Sequence, residues 1–210
     1  KDAAVSLRMV EREPCAQAAV FAFELARKKG LSVTTASKHT IQRVTDGLFE
    51  SVVKDVHRDF ADVNLHQELF DALLAKIIIR PEDYEIVLVL NEYGDFLSDM
   101  ASGLVGSIGT GASGNYAFDS NRQVSLAMFD PAGGTAPDIA GKNICNPTAM
   151  LLSFGMLLDH INHYQYGHAL RLSLLHSLRH NECTADLGGT LSTTDFVDNI
   201  ANKLSKKLLK

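Results

Sequence analysis

Residues Ile86-Val87-Leu88-Val89-Leu90 form an unbroken apolar run. A half-buried strand alternates apolar with polar residues, and an amphipathic helix returns to apolar every third or fourth position. This run does neither, and it is short. It therefore predicts a strand covered on both faces. Such a strand needs helices around it, and the flanking sequence supplies them. Helical spacing runs over 11–29, with Ala18, Ala19, Phe21, Ala22, Leu25 and Ala26 small or apolar, Arg27, Lys28 and Lys29 crowding the end, and Gly30 as a stop. A second amphipathic helix over 46–60 places Leu48, Phe49, Val52, Val53 and Val56 on one stripe. A third spans 67–79 and ends at Arg80-Pro81. Short strands are expected at 3–10, 31–36, 62–65 and 124–129. Strands alternating with helices predict an α/β architecture, a twisted sheet flanked by helices.

Beyond the apolar run, 95–104 reads as a helix leading into a Gly/Ser-rich loop over 103–114. A Gly/Pro-rich loop follows over 130–141. Asn146-Pro147 opens a long apolar helix to about Ile161, and two more helices are expected at 167–177 and 194–207. The two glycine-rich loops sit at the ends of buried elements, where α/β proteins tend to place their sites.

The 46% hydrophobic and 21% charged content suits a folded chain with a sizeable core, not a disordered one. A net charge of -5 argues against nucleic acid, which leaves a basic footprint. The basic tail, with Lys206, Lys207 and Lys210, reads as a solvated helix end, the alternative being contact with a membrane or an acidic partner. Cys15, Cys145 and Cys183 are scattered and show no CxxC spacing, which suits a reducing compartment and gives neither a disulfide framework nor a zinc site. No apolar run reaches the roughly 18 residues that span a bilayer. The chain begins at Lys1 without a signal peptide, so processing or excerpting is expected to have removed what came before.

Asp95 and Asp99 follow the apolar run. If a helix begins near Gly94, they lie one turn apart on one face. Two carboxylates there make a hard oxygen site suited to Mg²⁺ or Mn²⁺. On spacing alone a helix-capping Asp95 and a solvated Asp99 remain an alternative. His160, His163 and His168 include an i, i+3 pair, which reads either as zinc ligands or as an exposed helix end.

The stretch Asn91-Glu92-Tyr93-Gly94-Asp95-Phe96-Leu97-Ser98-Asp99 with the following Met100 to Gly106 resembles the metal-binding segment of the β-decarboxylating isocitrate and isopropylmalate dehydrogenases. Thr135-Ala136-Pro137-Asp138-Ile139-Ala140-Gly141-Lys142-Asn143 with Asn146-Pro147-Thr148-Ala149 resembles their cofactor loop, and Asp186-Leu187-Gly188-Gly189 also matches. The resemblance covers nearly the whole chain but only the later part of a family member, and it implies that fold in its C-terminal part. It implies that Asp95 and Asp99 are metal ligands, that Asp71 is a third carboxylate reaching across from a dimer mate, and that Lys38, also donated across the dimer, is the catalytic lysine. Gly134, Thr135, Ala136, Asp138, Ile139 and Asn146 are the implied cofactor-binding residues. Asp138 implies NAD, because a carboxylate accepts hydrogen bonds from ribose hydroxyls and repels a 2′-phosphate.

By resemblance, residues 1–109 are mostly a small dimer-forming domain, and 110–210 return to the large cofactor-binding domain. The implied activity is NAD-dependent oxidative decarboxylation of isocitrate to 2-oxoglutarate with Mg²⁺ or Mn²⁺. It would take place in a homodimer or a hetero-oligomer of related subunits, in the mitochondrial matrix. The alternatives are an isopropylmalate-type dehydrogenase or a non-catalytic subunit. The sequence departs from the family at Gly133, where a histidine is usual, and at His39 and Thr40, where a small residue and an asparagine are usual. Those departures favour the non-catalytic alternative, whereas the intact set Lys38, Asp71, Asp95, Asp99 and Asp138 favours the enzyme.

Overall fold

The computed structural model describes residues 2–208. Lys1, Leu209 and Lys210 lie outside the described residues, so the basic tail is described only as far as Leu208. The chain divides into two compact units, Lys1–Leu97 and Ser98–Lys210.

The first unit is built on a three-stranded parallel sheet of order β2-β1-β3. Its strands are β1 (Val33–Ser37), β2 (Leu65–Leu69) and β3 (Ile86–Leu88). The central strand β1 is buried at all five positions. Helix α1 (Arg12–Lys29) buries Cys15, Ala19, Ala22, Phe23 and Ala26, a stripe of near-3.6 spacing. It stops at Gly30, whose φ of 68° is left-handed, while Leu31 N–H returns to the Ala26 carbonyl at 2.9 Å. This is the closure a glycine after a helix permits. Helix α2 (Thr45–His57) contributes Phe49, Val52, Val53 and Val56 to the same core. Helices α3 (Phe70–Ile79) and α4 (Asn91–Val105) follow β2 and β3.

The second unit carries a hairpin of β4 (Ala112–Phe118) and β5 (Val124–Pro131), antiparallel, with helices α5 (Thr148–His160), α6 (Tyr164–Arg179) and α7 (Thr193–Leu208). The hairpin turn is held by Asp119, whose Oδ1 accepts from Asn121 N–H at 2.8 Å and Gln123 N–H at 2.9 Å. Ser153 of α5 is fully buried, donating to the Asp130 carbonyl at 2.7 Å and accepting from Ser113 N–H at 3.1 Å. It therefore ties the helix to both strands. The helical core is Leu170, Leu174, Cys183, Phe196 and Ile200.

Several expectations are corrected. Residues 3–10 form no strand among the described residues; Arg8 is tied instead through its side chain to Asp46. The strand expected at 62–65 and the helix start expected at 67 become β2 at Leu65–Leu69 and α3 from Phe70, because pairing with β1 overrides the helical pattern of Gln67 and Glu68. In β3 Leu88 alone is buried, because that strand borders the sheet and pairs with β1 on one side. Part of the stretch expected as a loop over 103–114 opens β4. Its glycine is closely packed there: a Cβ on Gly114 would lie 3.0 Å from Met156 Cε and 3.2 Å from the Phe129 ring, so both side chains would have to give by a few tenths of an ångström. No described helix is long and apolar enough to cross a membrane.

Candidate functional site

Lys38 directly follows the last residue of β1, and Asp71 is the second residue of α3. Parallel pairing of Ser37 with Leu69 brings these two element ends side by side. Lys38 Nζ donates to Asp71 Oδ1 at 2.6 Å, across 33 residues of sequence. That hydrogen bond holds the exposed Asp71 carboxyl below the usual carboxylate range.

The backbone around Lys38 is fixed from beneath. Ser37 is fully buried and its hydroxyl donates to Glu50 Oε1 at 2.7 Å, while Gln67 Nε2 donates to the other Glu50 oxygen. Asp46 accepts the Lys38 N–H at 2.7 Å, the Tyr93 hydroxyl at 2.9 Å and Arg8 Nη1 at 2.9 Å. Burial, with the Asp46 carboxylate close by, pushes the Tyr93 hydroxyl up from its ordinary value, so it stays a donor. The sequence reading missed Asp46, Glu50 and Tyr93. An acid in the first turn of a helix is common, and nothing in the pattern says that Asp46 is buried.

Asp95 and Asp99 lie four residues apart on α4, both exposed. Four residues bring two side chains onto one helix face. Their hard oxygen donors fit Mg²⁺ or Mn²⁺, ions that favour carboxylate oxygen. Among the described residues no group of three or more His, Cys, Asp or Glu side chains is placed to hold a metal. His160, His163 and His168 are each exposed, and they belong to no such group.

In the second unit, Ala136 adopts a left-handed φ of 40° and opens a 3-10 turn, Pro137–Ile139. Asp138 is exposed on that turn. A Cβ at Gly133 or Gly134 would meet nothing within 4 Å, so there is open space beside the loop at both positions. Asn146 is tied at both ends of its amide: Oδ1 accepts from the N–H of Thr148, the first residue of α5, at 2.9 Å, and Nδ2 donates to Asp186 Oδ2 at 2.8 Å. One donor and one lone pair remain for a ligand. Asp186 also accepts from the Ser107 hydroxyl and, at 2.6 Å, from the Thr184 hydroxyl. Desolvation works against its charge, but these three donors outweigh it and hold the carboxyl below its usual range. The glycines of the Asp186-Leu187-Gly188-Gly189 motif have separate reasons. Gly188 has a φ of 81°, and a Cβ on Gly189 would lie 2.0 Å from the Cys183 carbonyl oxygen.

A family profile described as isocitrate/isopropylmalate dehydrogenase matches residues 1–200. The chain belongs to that family. It is 36% identical to a homoisocitrate dehydrogenase of Methanocaldococcus jannaschii over 99% of this chain and 58% of the relative. It is also 36% identical to a mitochondrial NAD isocitrate dehydrogenase subunit 2 of Schizosaccharomyces pombe, over 95% of this chain and 52% of the relative. Among solved structures, the apo β-decarboxylating dehydrogenase of Thermococcus kodakarensis matches with a TM-score of 0.86 and 33% identity, over 99% of this chain and 59% of that one. The chain thus spans a little over half the length of these relatives. The α/β architecture is the one that this dehydrogenase family shares.

Proposed function

We propose that the protein is a subunit of an NAD-dependent isocitrate dehydrogenase, oxidising isocitrate and releasing CO₂ to leave 2-oxoglutarate. The observation that carries this is the Lys38–Asp71 pair: two residues far apart in sequence meet at the carboxyl end of β1, where an α/β site belongs. Lys38 is a proton-transfer group, and its ammonium is oriented by Asp71. Asp95 and Asp99 supply carboxylate oxygens for Mg²⁺ or Mn²⁺. Such an ion, when bound, polarises the oxygens of a 2-hydroxy acid. Asp138 accepts from the ribose hydroxyls of NAD, the hydride acceptor, and excludes a 2′-phosphate by charge.

Gly134, Thr135, Ala136 and Ile139 shape the loop that takes the cofactor, and Asn146 reaches the adenine with its remaining amide groups. The working unit is a homodimer or a hetero-oligomer of related subunits in the mitochondrial matrix, in which Lys38 and Asp71 of one chain serve Asp95 and Asp99 of another.

A non-catalytic subunit is the second reading. Its support is the departure from the family at Gly133, which has no side chain where a histidine is usual, and at His39 and Thr40, where a small residue and an asparagine are usual. The test is NAD reduction by the full-length protein with Mn²⁺ and isocitrate, homoisocitrate or isopropylmalate in turn. Highest kcat/KM with isocitrate supports the proposal. Turnover with another acid instead moves the substrate, and no turnover with any of the three leaves the non-catalytic reading.

A further inference from the structure

Asp46 has no solvent exposure, although it lies in the first turn of α2. Taking a carboxylate out of water is costly, and several donors are needed to offset it. Asp46 has four: Lys38 N–H at 2.7 Å, the Tyr93 hydroxyl at 2.9 Å, Arg8 Nη1 at 2.9 Å and the Thr45 hydroxyl at 3.3 Å. One donor is the main chain of Lys38 itself. Another belongs to the first turn of α4, two residues before Asp95. The Tyr93 ring in turn stacks on Phe70 with centroids 4.5 Å apart, and Phe70 immediately precedes Asp71.

We infer that Asp46 is a positioning residue, which fixes the main chain of Lys38 and, through the Tyr93 hydroxyl, registers it against the head of α4. This rests on the reading of Lys38 as the proton-transfer group. A lysine side chain is long and flexible, so its reach depends on where its backbone is anchored. The β-sheet anchors one side of Lys38 through Ser37, and Asp46 anchors the other. Arg8 supplies the countercharge that lets the carboxylate stay buried. Its guanidinium also lies 4.9 Å from the centre of the Tyr93 ring, which holds that ring in place. Asn in place of Asp46 keeps the shape, but it removes the charge and turns a donor toward a donor.

The test uses the full-length oligomer, Mn²⁺, NAD and whichever of isocitrate, homoisocitrate and isopropylmalate turns over fastest. Asp46→Asn should lower kcat by roughly tenfold to a hundredfold, the scale expected when a reacting group is misplaced by about an ångström, and leave KM for NAD unchanged. Tyr93→Phe removes one donor and keeps the ring, so it should act in the same direction by less. It carries the test should Asp46→Asn fail to fold. In a Lys38→Ala background neither substitution should reduce kcat further. Independently of turnover, hydrogen exchange should quicken in the peptide containing Lys38 and stay unchanged in α1. Additive losses, or a wild-type kcat in both variants, overturn the positioning role while leaving Lys38 as assigned. A wild-type kcat in Lys38→Ala overturns the reading of Lys38, and the role of Asp46 falls with it.

Discussion

Gly189→Ala sets one methyl group against the backbone. The new Cβ would lie 2.0 Å from the Cys183 carbonyl oxygen, 2.5 Å from its carbon and 2.9 Å from its nitrogen. Those atoms cannot yield easily. Cys183 and Thr184 are buried, the Cys183 carbonyl accepts Leu191 N–H at 2.9 Å, and Gly189 N–H itself donates to Thr184 at 3.1 Å. Overpacking of this kind costs about 1–3 kcal/mol, and disturbing one hydrogen bond adds about 1 kcal/mol. The sum of roughly 2–4 kcal/mol corresponds to a fall in Tm of about 4–16 °C for a chain of this size. Gly103→Ala is the matched control. A Cβ there meets nothing within 4 Å, and the residue lies in α4. Alanine should therefore raise stability by about 0.5–1 kcal/mol. Both variants are followed by thermal unfolding monitored by circular dichroism. If Gly189→Ala melts within a degree or two of wild type, the crowding at Cys183 is not what demands a glycine. If Gly103→Ala melts lower, the space around α4 has been misread.

Asp95→Asn and Asp99→Asn should each abolish metal-dependent turnover with circular dichroism unchanged; a wild-type Mn²⁺ dependence in either removes it from the metal site. NAD should be preferred over NADP in kcat/KM, and Asp138→Lys should narrow or reverse that preference, whereas equal efficiencies in the wild type would mean that the loop does not read the ribose. A Lys38→Ala chain mixed with an Asp95→Asn chain should regain activity once subunits exchange, because one of the two shared sites then carries no substitution; continued inactivity with exchange confirmed would show unshared sites. Because the Asp186 carboxyl lies below its usual range in the folded chain, its contribution to stability is present above the ordinary carboxylate value near pH 4 and is lost as pH falls through the folded value. The Tm difference between wild type and Asp186→Asn should therefore shrink from pH 6 toward pH 3, and a constant difference would contradict the assignment.

Helices with strong periodicity were legible from sequence. The apolar stripe of α1, its glycine stop and the run through Phe49, Val52, Val53 and Val56 each carry a local signal. What escaped depends on partners distant in the chain. The opening of β4 reads as loop because Ser113 and Gly114 are turn formers, and only pairing with β5 makes them part of a strand. β2 carries His66, Gln67 and Glu68, and its strand character comes from β1. In the candidate site, Lys38 and Asp71 were reached through motif resemblance, and the fold brings them together. Asp46 was not, because a surface carboxylate and a buried one are written with the same letter. Its burial arises from Arg8 and Tyr93, 38 and 47 residues away.

Ser153 bears on how the second unit selects its folded arrangement. The β4–β5 hairpin is local in sequence and can close early, before α5 docks. A hairpin closing alone can slip by a residue, and a slip turns every side chain to the opposite face. The buried Ser153 hydroxyl bonds both Ser113 and Asp130, which face each other in the correct pairing. In a slipped hairpin that hydroxyl would be entombed without partners, at the cost of an unmet hydrogen bond. The docked helix thereby tells one register from another, making the hairpin whose strands are in step the more stable one by about the worth of those hydrogen bonds, roughly 1 kcal/mol each.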